Sequence, residues 1–67
     1  MKIVLKEQNG KAIIFWPSNN MQFVVGTLEK PAKVGEEISA WYWGHYFKTI
    51  DGALAYFNSG GKTDENI

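Results

Sequence analysis

The residues best equipped for chemistry are few, and their spacing argues against catalysis. His45 is the single histidine, and it lies inside the aromatic run Trp41-Tyr42-Trp43-Gly44-His45-Tyr46-Phe47. No Ser-His-Asp constellation accompanies it. A histidine in such a strand serves as a partner contact or a pH-responsive group, or more ordinarily as a half-buried ring with local hydrogen bonds. Glu36-Glu37 sets two carboxylates side by side. Adjacent residues of an extended strand point to opposite faces, so this pair cannot flank one substrate as glycosidase carboxylates do. Gly60-Gly61-Lys62 follows a helical segment instead of opening one, which removes it as a phosphate cradle. No Walker loop or dinucleotide fingerprint is present. With no cysteine and one histidine, a zinc site would have to be carboxylate-rich, which is uncommon. The expectation is a non-enzymatic protein with no cofactor and no metal.

The aromatic side chains carry the stronger signal. Three tryptophans, three tyrosines and four phenylalanines in 67 residues exceed what a core of this size needs. The partner-binding residues expected from this surplus are Trp41, Tyr42, Trp43, His45 and Tyr46, with Phe15 and Val24 beside them. Tryptophan and tyrosine are enriched at protein–protein hot spots and give contact area at low entropic cost. Another protein is therefore the expected partner, with this chain as an accessory or inhibitor factor. Rings on a sheet next to lysines could also stack single-stranded nucleic acid, using Tyr42, Tyr46, Phe15 and Trp16 with Lys2, Lys6, Lys11 and Lys48. The net charge of zero and the absence of arginine weigh against that alternative. A homodimer through an exposed face or a strand edge is a further possibility. A sugar platform of Trp41 and Trp43 is weaker, because such modules usually belong to secreted proteins. In the plainest reading some of these rings, Phe47 above all, are simply core.

These side chains must be positioned by short strands. Residues 2–7 and 11–16 are apolar runs rich in Ile, Val and Phe, joined through Asn9-Gly10. Asn-Gly is the strongest short hairpin signal, because both central positions of its turn need positive φ. This register sets Leu5 opposite Ile14 and Ile3 opposite Trp16. The loop Pro17-Ser18-Asn19-Asn20 leads to a third run, Met21 to Leu28, with Trp16 expected opposite Met21, Ile14 opposite Phe23 and Ala12 opposite Val25. One face would then carry Ile3, Leu5, Ala12, Ile14, Trp16, Met21, Phe23 and Val25. Glu29 to Gly35 reads as a connection, since Pro31 and Gly35 disfavour a central strand. A fourth strand spans about Glu37 to Phe47, where Gly44 suggests a bulge or close backbone approach.

A helix follows near Thr49, a good N-cap, with Asp51 at the positive end of the dipole. Ile50, Ala53, Leu54 and Phe57 form a single apolar stripe, and Gly60-Gly61 end the helix. The stretch from Tyr46-Phe47 through Lys48-Thr49-Ile50-Asp51-Gly52 to Phe57 resembles the strand-turn-helix ending of many short bacterial and bacteriophage chains.

The resulting fold class is α+β, a four-stranded antiparallel sheet in the order ββββα with one C-terminal helix packed on one face. The alternative is a small curled, barrel-like sheet with the helix at one end. Residues 1–61 form a single domain and 62–67 a polar tail. One short helix covers one sheet face and not both. The face carrying Val4, Ile13, Phe15 and Val24 is therefore expected to be exposed, and an exposed apolar face points to a partner. Neither a signal sequence nor a membrane span is expected. The lack of cysteine in so small a chain points to a reducing, cytoplasmic compartment.

Overall fold

The computed structural model describes residues 1–59. Four strands, β1 (Ile3–Gln8), β2 (Lys11–Phe15), β3 (Phe23–Leu28) and β4 (Trp41–Phe47), precede one helix, α1 (Ile50–Asn58). The strands form a single antiparallel sheet in the order β1-β2-β3-β4. The fold class is the expected one. The curled, barrel-like alternative is not adopted, because the sheet stays open and β1 and β4 lie at opposite edges. Gly60-Gly61 and the polar tail 62–67 lie outside the described residues.

The first hairpin turns at Asn9-Gly10, both with positive φ (54° and 85°), as a two-residue loop requires. Gln8 pairs with Lys11, Glu7 with Ala12 and Lys6 with Ile13. A β-bulge at Leu5 then shifts the ladder, so Val4 lies opposite Ile14 and Ile3 opposite Phe15. One inserted residue is enough to exchange the faces of everything beyond it. The β2–β3 register also differs by one from expectation. Trp16 N–H donates to Gln22 O at 2.7 Å, and Ile14 faces Val24 while Ala12 faces Gly26.

These two shifts redraw the faces. One carries the cluster Val4, Ala12, Ile14 and Val24, and the other carries Ile13 and Val25 packed on Ala53 and Phe57 of α1. The helix therefore covers the Ile13–Val25 face and not the face of Ala12 and Ile14. The surface expected to be bare is not bare: Val4, Ile13 and Val24 are all buried.

What covers the second face is the connection 29–40. Leu28, Ala32, Ile38 and Trp41 pack on the Val4 cluster, together with Trp16. Beyond the cluster the connection runs antiparallel along the outer edge of β1. Val4 N–H donates to Glu36 O (2.9 Å), Gly35 N–H to Val4 O (2.7 Å) and Ile38 N–H to Lys2 O (2.8 Å). β4 accordingly starts at Trp41 and not at Glu37, since Glu37 bridges to Ile3 at the far edge of the sheet. The Lys2 ammonium sits 4.9 Å from the Trp16 ring centroid and 5.8 Å from that of Trp41, adding a cation–π contact to this side.

The helix begins as its sequence implies. Thr49 is extended (φ −127°, ψ 154°) and its hydroxyl accepts from Gly52 N–H at 3.1 Å. Asp51 lies in the first turn, where a carboxylate favours the dipole.

Candidate functional site

β4 is built around a break in its own ladder. Phe47, Tyr46 and His45 pair with Phe23, Val24 and Val25, whereas Tyr42 and Trp41 pair with Thr27 and Leu28. Between them the register shifts, placing Trp43 and Gly44 opposite Gly26 alone. Trp43 adopts φ 52°, the left-handed region that a bulky residue rarely enters.

The cause is visible on the connection side of the sheet. The indole of Trp41 lies close against two glycines, Gly26 and Gly44. A methyl added to Gly26 would meet Trp41 Cδ1 at 2.9 Å, and one added to Gly44 would meet Trp41 Nε1 at 2.5 Å. Absence of Cβ at both positions lets the ring lie against the backbone.

Cross-strand partners share a face, which sorts the seven candidate residues. Tyr42, opposite Thr27, and His45, opposite Val25, lie on the helix side. Trp43 joins His45 in lining a shallow groove of about 130 Å³, together with Lys11, Val25, Gly26, Thr27 and Tyr56; Tyr42 lies next to it, beside Trp43. The His45 and Tyr56 rings are 4.7 Å apart, and those of Tyr42 and Trp43 5.6 Å. Trp43 is 78% exposed and Tyr42 50%. Tyr46 is opposite Val24 on the other side, 41% exposed.

The remaining three contribute little outer surface. Trp41 is half-buried in the Val4 cluster and meets Trp16 edge-on at 5.7 Å. Phe15 is half-buried and stacks on Phe23 at 5.4 Å. Val24 is 0% exposed, so it offers no contact area; it lies on the face away from the helix, as expected, but the connection 29–40 covers that face.

Sequence reasoning did not find Thr27 and Tyr56, and it named Lys11 only among the lysines that could meet phosphates. Lys11 and Thr27 face each other across β2 and β3, so the correct register alone would have placed them beside Tyr42. Tyr56 lies outside the helix's apolar stripe, and nothing in the sequence marks it as a neighbour of His45.

The groove brings a cation and an imidazole together with aromatic faces, and no carboxylate lines it among the described residues. It can stack or bury an apolar side chain and accept a polar one. Elsewhere, the Glu36 carboxylate accepts from Lys33 N–H at 2.7 Å, which ties it to its own turn. Among the described residues no group of three or more His, Cys, Asp or Glu is placed to hold a metal ion, and no helix is long and apolar enough to cross a membrane. No family model matches the chain, and no curated protein or solved structure matches it significantly.

Proposed function

We propose that this domain is a non-enzymatic protein-binding module, an accessory or inhibitor factor, whose contact surface is Tyr42, Trp43 and His45 with the groove beside them. One observation carries the reading: Trp43 is held in a left-handed conformation that leaves its indole 78% exposed. A left-handed backbone costs a bulky residue about 1–2 kcal/mol, and an exposed indole recovers little of that by burial. A tryptophan at such a place is explained by a contact made outside the chain. Indole and phenol side chains are the usual anchors of such contacts. The absence of cysteine fits work in a reducing compartment such as the cytoplasm.

Single-stranded nucleic acid is the weaker reading. Tyr42 and Tyr46 lie on opposite faces, so they do not form one stacking platform. Net charge is zero and arginine is absent, which leaves lysine point charges alone for phosphates.

The test is a captured partner titrated against wild type, Trp43→Ala and Tyr42→Ala, with thermal melts to show that each variant is folded. Loss of a hot spot should weaken binding by about 2 kcal/mol, roughly 30-fold. Undiminished affinity in both variants would sink the site. Parallel titration with an oligonucleotide at two salt concentrations distinguishes the readings, because phosphate contacts weaken steeply with salt.

A further inference from the structure

The two edges of the sheet are treated differently. The outer edge of β1 is closed by the chain itself, through the three backbone hydrogen bonds to residues 35–38. The outer edge of β4 receives no backbone hydrogen bond from any described residue. An open edge is a template for a further strand, and proteins guard such edges with lysine, proline, inward-pointing charge or a bulge. The bulge at Trp43–Gly44 interrupts one half of this edge and leaves His45–Phe47 regular. The sequence Trp41–Phe47 contains no lysine, no carboxylate and no proline. It carries three of the most exposed large rings, Tyr42, Trp43 and Tyr46.

We propose that β4 pairs antiparallel with β4 of a second copy of this chain, joining the two sheets edge to edge across a two-fold axis within Gly44–Phe47. The axis belongs there because the shift at Trp43–Gly44 ends the regular ladder on one side and α1 begins shortly after the other. A second copy fits this edge for a reason of charge. An isologous contact sets each residue near its own equivalent, so a charged strand would repel itself, and this strand has no charged residue to do so. With the axis near His45 and Tyr46, Lys48 falls opposite the uncharged bulge of the other copy and away from that copy's Lys48. The inference shares His45 with the groove reading, so Trp43, which the bulge turns out of the regular ladder, is the residue that separates the two.

The test uses the full chain in sedimentation equilibrium, with His45→Lys, His45→Glu and an equimolar mixture of the two. His45 is exposed, so thermal melts should show both variants folded. Wild type should sediment as a dimer. Each single variant should place like charges beside the axis and raise the dimer dissociation constant at least tenfold. The mixture should restore association by setting Lys against Glu. A monomeric wild type would overturn the proposal and leave the edge to a foreign strand. A dimer indifferent to both charges, or a mixture no tighter than its components, would equally overturn it by putting the contact elsewhere. Trp43→Ala should weaken partner capture roughly 30-fold yet keep the dimer, so either idea can fail alone.

Discussion

Trp43 concentrates the local tension of this molecule in one residue. Its φ of 52° suits glycine, and its ring, touching only Tyr42 at 5.6 Å among aromatic neighbours, contributes little to the core. Two truncations separate backbone from side chain. Trp43→Ala and Trp43→Gly remove the same ring, but only glycine adopts the left-handed region without steric cost. Trp43→Gly should therefore be the more stable of the two by about 1 kcal/mol, read from urea midpoints at equal slope. Equal midpoints would mean that the backbone relaxes out of the left-handed region once the indole is gone. The neighbouring Gly44 makes the opposite case. A methyl there would meet Trp41 Nε1 at 2.5 Å, and the ring cannot retreat because it is packed on the Val4 cluster. Gly44→Ala should cost about 1–3 kcal/mol, as overpacking does. Adding Trp41→Phe should make the double variant lose less than the two single losses combined.

At the scale of elements, the parts written in local residue chemistry were legible and the parts set by register were not. Asn9-Gly10 placed the first turn and the three pairs next to it correctly. Thr49, Asp51 and the Ala53–Phe57 stripe placed α1. The bulge at Leu5 left no mark, because a leucine fits either face of a strand among Ile3, Val4 and Leu5. The loop after β2 closes with Trp16 on Gln22 instead of on Met21, a choice between two residues of similar compatibility. Each one-residue slip exchanges faces, so the helix was expected against Ala12 and Ile14 of β2 instead of Ile13, although its side of β3, with Phe23 and Val25, was right. Val24 was expected on the surface because nothing in the sequence marked the connection as the cover of its face. Aromatic density pointed to exposed rings on β4 but left open whether the Tyr42–Tyr46 row or the Trp41–Trp43–His45 row faced outward, and the groove, which depended on the register, was not foreseen. The legible helix start makes a prediction at this same scale. The Thr49 hydroxyl accepts from Gly52 N–H, so Thr49→Ala should destabilise the domain by about 1 kcal/mol and Thr49→Asp should not. Chemical denaturation of the three proteins measures it.

At the scale of the whole molecule, one thin sheet is buried from both sides by unlike covers. A regular helix lies on Ile13 and Val25, and an irregular connection lies on Val4, Ala12, Ile14 and Val24. Among the described residues no second helix lies on the other face, and small domains hold little stability in reserve. The connection can serve as a cover because its backbone polar groups are satisfied along the edge of β1, where an unpaired buried loop would be costly. It should then behave as core and not as a dispensable loop. Ile38 is half-buried against the Val4 cluster, whereas Val34, four positions earlier on the same connection, is 63% exposed. Ile38→Asp sets a carboxylate against the apolar Val4 cluster and should cost on the order of 2 kcal/mol or more, enough to threaten folding at this size. Val34→Asp should shift the urea midpoint by no more than about 0.5 kcal/mol equivalent, as exposed substitutions do. The contrast between the two decides the matter: if Ile38→Asp melts with wild type, the connection merely rests on the sheet, and the face beneath it is open to another molecule after all.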